Sequence, residues 1–347
     1  MNKSNDKRYR SVCAIFPICI FLLFFASFFV GRYTGVNPIN VPKVILHVFF
    51  PNITVTWTDA EAAVILYQRL PRIVASLLIG ASLAVSGAAY QALFANPVAS
   101  SDTLGVTNSA SFGAVLAILM GFNATGMKVL AFILGCCAVL VVYYTSLHIS
   151  NRKNTTLFLL LIGMVISSLF SALLSILKVA ADPENELPQI TYWLMGSLSK
   201  VKLVDIPIYL PFFSLGMMML FLLRWRMNLL SLSDYEAQSI GENTNFVRTV
   251  TILGATILTA AATAMTGGIN WVGLIIPHLA RIIVGNDMRR VLPVSAMFGG
   301  FFLLFVDNLA RSLTINEIPI SVMTSLIGAP VFFVILIRKR EDLIGGS

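Results

Sequence analysis

The sequence predicts an all-α polytopic membrane protein. It has about ten transmembrane helices, an inverted 5+5 repeat and both termini on the cytoplasmic side. Three observations lead there. Of the 347 residues, 57% are hydrophobic and only 12% charged, about half the charged share of a soluble globular chain. The apolar excess must face lipid. Apolar runs of spanning length, about 20 residues, recur from one end of the chain to the other. Finally, two of those runs are interrupted by glycine and proline in corresponding places.

The elements follow in order. Lys3, Lys7, Arg8 and Arg10 precede an apolar run over 12–30. It exceeds the ~7–15-residue core of a cleaved signal peptide and has no convincing small-x-small site before Gly31, so it reads as a retained first helix. Residues 31–62 form a mixed loop with Pro38, Pro42 and Pro51. The second run, 66–94, is introduced by Arg69-Leu-Pro-Arg72 and ended by Asn96-Pro97. Further spans are predicted over 104–121, 129–147, 157–180, 204–223, 249–266, 270–284, 291–311 and 320–337. All belong to one transmembrane domain, 1–347, whose longest internal cytoplasmic loop is 224–248.

Charge sets the orientation. With the N-terminus inside, the cytoplasmic segments hold 14 Lys and Arg against nine at the outer ends, the sense that retains cationic loops inside. The net charge of +8 therefore belongs to membrane-flanking segments, with no basic stripe that points to nucleic acid.

The stretch TGGINWVGLIIPHLARIIVG carries Gly267, Gly268, Gly273, Pro277 and His278. A shift of 180 residues places Gly87 on Gly267, Pro97 on Pro277 and Gly105 on Gly285. Breakers in lipid-immersed helices free backbone groups that neighbouring helices or a wet cavity must satisfy, and matched breaks are the sequence pointer to a pathway between repeats. Five helices separate the two segments, so the halves have opposite orientation. Gly87, Asn96, Pro97, Gly105, Gly267, Gly268, Gly273, Pro277 and His278 are thus the candidate helix breaks and pathway residues. His278 also reads as a packed, hydrogen-bonded helix residue rather than a ligand or proton relay.

Catalytic chemistry is not written in the chain. It contains no Gly-Lys dipeptide and hence no Walker A phosphate loop. His47, His148 and His278 are scattered, and Cys13, Cys19, Cys136 and Cys137 lie inside apolar runs, where cysteine packs as a small hydrophobe. No catalytic residue, metal site or bound cofactor is predicted. Asp307 is the acidic residue well inside a predicted span, with Arg311 one turn on. That spacing suits an ion pair, and intramembrane carboxylates also serve ion carriers. Arg69, Arg72 and Arg311 sit at outer helix ends, where arginine either snorkels to the interface or pairs with carboxylates of another protein. In the cytoplasmic loop, Ser233 and Glu236 are spaced as a capping box, and Gly241 is placed to end a short helix. Such a helix, including Asp234 and Ala237, either docks into a partner or is a surface turn.

Three stretches carry a resemblance. RLPRIVASLLIGASLAVSGAAYQALFANPVASSDTLG, GGINWVGLIIPHLARIIVGNDMRRVLP and DNLARSL…NEIPISVMTSLIGAPVFF resemble, in order, motifs of permease subunits of ABC importers for iron–siderophore, haem and cobalamin. The likeness runs from the second helix to the C-terminus. It implies a bacterial cytoplasmic-membrane protein with ten helices per subunit and a second permease subunit, identical or different. It also implies two ATP-binding cassette subunits inside, where ATP is bound, and an extracytoplasmic substrate-binding protein outside. By motif position, Ser233–Gly241 becomes the coupling helix, and Arg69, Arg72 and Arg311 become the pocket for the binding protein's carboxylates. Ser101, Trp271, Ser321 and Val331 depart from the family's common Pro, Phe, Gly and Phe. The expected cargo is a ferric siderophore, with haem or cobalamin as alternatives. An autonomous ion-coupled carrier is the rival from another class.

Overall fold

The computed structural model describes residues 3–31, 36–48, 50–150, 155–231, 243–314 and 317–344. Its helices are α1 (Lys3–Ser27), α2 (Asn40–His47), α3 (Asp59–Ala63), α4 (Leu70–Leu93), α5 (Val106–Leu119), α6 (Ala124–Ile149) and α7 (Thr155–Ala180). They continue as α8 (Glu186–Leu194), α9 (Asp205–Leu223), α10 (Thr244–Thr266), α11 (Val272–Val284), α12 (Met288–Ser312) and α13 (Ile320–Ile344). Among the described residues, eight helical stretches are long and apolar enough to cross a membrane, and α5 and α11 are shorter apolar helices. The short pair reaches roughly 20 Å at 1.5 Å per residue, less than a ~30 Å hydrocarbon core. Each follows a non-helical stretch, at 94–105 and 267–271.

The centre of the bundle is α4 against α10, α11 and α12. In the most apolar windows of the α3–α4 stretch and of α10, 78% of residues are buried, against 6% in α1 and 17% in α7. Small residues explain why these helices pack so closely, since apolar helices in lipid associate by backbone approach and interhelical hydrogen bonds. A Cβ on Gly80 would lie 2.2 Å from the Gly299 carbonyl oxygen, and one on Gly87 1.9 Å from that of Gly273. Hydroxyls tie the same interface. Thr259 Oγ1 donates to Ser86 Oγ at 3.1 Å, and Tyr90 Oη lies 3.1 Å from Thr256 Oγ1.

Side-chain pairs give the helix directions. Asp6 meets Arg290 at the starts of α1 and α12, and Ser27 meets Asn308 near their ends, so these two run parallel. Arg72 at the start of α4 meets Asp307 near the end of α12, so α4 runs against both. Ser86 and Tyr90 meet Thr259 and Thr256 in reversed order, which makes α4 and α10 antiparallel. These are the second helices of the two halves, and their opposition is the relation that inverted halves require.

The structure departs from the sequence expectations in three places. First, the 31–62 loop contains α2, and the second apolar helix starts at Asp59, where Thr58 Oγ1 accepts from Glu61 N at 3.2 Å. Glu61 itself is buried and accepts from Asn37 N at 2.7 Å and Asn40 Nδ2 at 3.0 Å. Second, α8 forms in the stretch between α7 and α9, burying Ile190 and Trp193. At 8 and 9 residues, both are too short to stand out beside spanning runs. Third, the 180-residue echo does not mark equivalent geometry. Gly87 lies inside an unbroken α4, whereas Gly267 caps the end of α10 with φ +81°. Gly87 is there because a neighbouring backbone passes too close for a side chain, not because the helix breaks.

Candidate functional site

At one end of α4 and α12 the three predicted arginines converge. A π-helical turn, Val64–Arg69, widens the helix just before α4; such turns often mark functional positions. Arg69 and Arg72 follow one turn apart. Arg72 Nε donates to Asp307 Oδ1 at 2.6 Å, and its Nη1 donates to Glu317 Oε2 at 2.7 Å. Arg311 Nε lies 3.2 Å from Asp307 Oδ2, outside hydrogen-bonding geometry, while Nη2 donates to Ser27 O at 3.3 Å and to Asn308 Oδ1. Arg69 Nη1 donates to the carbonyls of Phe28, at 3.2 Å, and Val30. All three arginines are 5–6% exposed and Asp307 is wholly buried, so they do not snorkel. They are neutralised from within by one sealed carboxylate and by Glu317, whose side chain keeps 39% of its exposure. With three cations and two anions, the cluster carries one net positive charge.

At the opposite end of α4 lies a half-open cavity of about 1050 Å³, whose polar lining residues are Gln91, Asn96, Asn228, His278, Arg281, Asn286 and Asp287. Asn228 ties its floor together: Nδ2 donates to Asp287 Oδ1 at 2.9 Å, and Oδ1 accepts from Met288 N at 2.8 Å. Asp287 also receives Arg289 Nη2 at 2.8 Å. Burial pushes the Asp287 carboxyl up, but the hydrogen bonds from Arg289 and Asn228 outweigh it and hold the group below the usual carboxylate range. The 3₁₀ turn Arg226–Ser231 ends here. The predicted coupling residues Ser233, Asp234, Glu236, Ala237 and Gly241 lie outside the described residues.

The candidate breaks divide into two kinds. Asn96, Pro97 and Gly105 occupy the gap between α4 and α5, where Asn96 Oδ1 accepts from Val98 N at 2.9 Å and Gly105 opens α5 with φ +77°. Gly267 and Gly268 occupy the gap after α10, which ends in Trp271 at φ +71°, a left-handed backbone that a bulky residue rarely adopts. The Trp193–Gly196 turn closes on this gap: Ser197 N donates to Thr266 O at 2.8 Å, and a Cβ on Gly267 would lie 2.1 Å from Trp193 O. Gly273, Pro277 and His278 instead lie within α11, which runs through them. Pro277 has no N–H to give the carbonyl four residues back. That carbonyl, on Gly273, is the one pressed against Gly87. His278 is buried, with Phe332 edge-on at 6.2 Å. Sequence reasoning gave no role to Glu317, Gln91 or Arg281, although all three stand in the quoted motifs.

These features fit one kind of membrane protein, and comparison decides which. A model of the FecCD transport family matches residues 19–338. The chain belongs to that family. This FecCD-family chain is 38% identical over 313 residues to a molybdate import system permease from Haemophilus influenzae, covering 90% of this chain and 91% of the relative. It is 39% identical over 282 residues to an iron chelatin transport system permease from Helicobacter pylori, covering 80% and 83%. A metal-chelate type ABC transporter solved in an inward-facing conformation superposes with TM-score 0.84 at 36% identity, over 95% of this chain and 99% of that one. The chain is therefore an ABC importer permease, a multi-pass protein of the cytoplasmic membrane. In this family ATP is used by separate ATPase subunits.

Proposed function

We propose that this FecCD-family permease carries a ferric siderophore inward by alternating access, driven by two ATP-binding cassettes beneath it and supplied by a substrate-binding protein outside. The observation that carries the proposal is the pairing of a half-open vestibule, apolar with a few polar side chains, at one end of the bundle with a cationic cluster at the other. The 233–241 segment couples the cassettes, and Asn228, five residues before it in sequence, donates to Asp287 at the vestibule.

The outer arginines receive the binding protein, but through Arg72 alone at first contact. Arg69 and Arg311 are committed to α1 carbonyls and to Asp307. Glu317 is the partner open to water, and an incoming carboxylate competes with it for the Arg72 fork. A second permease subunit completes the pathway across α7. This helix is little buried, yet it shows Ser168, Ser171 and Ser175 beside Asn108, a polar face better suited to a wet path than to lipid.

A second reading is favoured by the Haemophilus relative's cargo: molybdate instead of a ferric chelate. The matched family members differ in the cargo their names give, from iron chelatin to cobalamin and haemin. Uptake of radioactive iron as a ferric siderophore, and of radioactive molybdate, by cells expressing the complete importer separates the two. Iron uptake that depends on this chain supports the first reading, and molybdate uptake alone replaces it with the second.

A further inference from the structure

Among the described residues, the vestibule holds a cation with no acidic partner. Arg281 projects from α11 into it, one helical turn beyond His278. Its hydrogen-bond partners are both neutral: Nη1 donates to Gln91 Oε1, and Nη2 donates to Ala88 O at 3.4 Å. Gln91 is itself fixed, because its Nε2 donates to Leu274 O at 3.1 Å and so turns Oε1 toward the guanidinium. The remaining N–H donors of the five-donor fork have no carboxylate to meet among the described residues. The carboxylate that lines the cavity, Asp287, is already occupied by Arg289 and Asn228. By contrast Arg72, Arg290 and Arg311 each have an acidic partner. A guanidinium on an apolar helix without an anion is costly, and one that faces a cavity is placed to meet an anion there. Its planar fork matches a pair of oxygens on one anion.

We infer that Arg281 is an anion-accepting position in the vestibule. Held by Gln91, it binds the oxygen atoms of an anionic cargo, either an oxyanion or the carboxylate or phenolate edge of a metal chelate. This assignment deepens the importer reading and rests on it. A lipid phosphate presents the same chemistry, so the test separates the two sources.

The test uses the complete importer in nanodiscs made either from phosphatidylcholine alone or with phosphatidylglycerol. Thermal unfolding is followed while molybdate or ferric citrate is titrated in. In phosphatidylcholine discs the wild type is stabilised by one or both anions in a saturable way. In Arg281→Gln the apparent Kd rises at least tenfold, and in Arg281→Lys it rises less, because the charge remains without the fork. Absence of saturable stabilisation by either anion overturns the proposal, as does an unchanged Kd in Arg281→Gln. Stabilisation by phosphatidylglycerol alone assigns the position to lipid and overturns the cargo assignment. ATP-driven uptake by the wild type is measured in parallel. Its absence sinks the importer reading, whereas normal uptake with a vestibule indifferent to anions sinks this inference only.

Discussion

Replacing Asp307 with Asn tests whether the arginine cluster is held together by its internal carboxylates. Asn keeps the shape and removes the charge, so three arginines are left with Glu317 as their one acid and the net charge rises from one to two. Asp307 is wholly buried and its pairs to Arg72 and Arg311 span 2.6 and 3.2 Å. With charge centres about 4 Å apart and an effective dielectric of ~20, each pair is worth about 4 kcal/mol before desolvation is counted. Removing one partner from a buried pair costs about 3–5 kcal/mol, and that is the expected loss for Asp307→Asn. Glu317→Gln breaks a pair whose acid is well exposed, for which about 1 kcal/mol is expected. The assay is equilibrium unfolding of the purified chain in mixed detergent micelles. The double variant Asp307→Asn, Arg311→Gln recovers part of the loss, because the stranded charge dominates it. Equal, small losses in the two single variants refute the reasoning.

Other consequences are open to measurement. Gly87→Ala places a Cβ 1.9 Å from the Gly273 carbonyl, so α4 and α11 must separate. A loss of at least about 3 kcal/mol, at the upper end of overpacking, is expected in the same micelle assay, and a neutral result contradicts the close crossing. Glu317→Gln removes the internal competitor for Arg72, and surface plasmon resonance should show the binding protein docking more tightly. Unchanged or weaker affinity removes Arg72 from the docking site. Ala237→Pro breaks the proposed coupling helix. The cassettes should then lose stimulation by loaded binding protein, and a preserved response excludes that helix from coupling.

Much of this architecture was readable from residues alone, and the reasons are physical. Spanning helices announce themselves because lipid tolerates little besides a long apolar run, and every predicted span lies on an observed apolar helix. α2 and α8 escaped because short helices outside the apolar runs carry no such signal. The Arg69–Arg72 spacing put two cations on one face, and the Asp307–Arg311 spacing put an acid and a base on one face of α12. Nothing local could show that these four meet across 235 residues, or that Glu317 closes the set. The 180-residue echo was misleading at Gly87, because glycine serves a close crossing as readily as a break. Arg281 was visible as a cation inside a span. Its meaning needed the cavity and the neutral partners that only the folded chain supplies.

The most direct test of the account is transport in proteoliposomes containing this chain, with and without its ATPase subunits and binding protein. Uptake of ferric siderophore or molybdate should require the ATPases and internal ATP, and it should survive collapse of proton and sodium gradients. Uphill uptake by the isolated chain, driven by either gradient with no ATPase present, contradicts it.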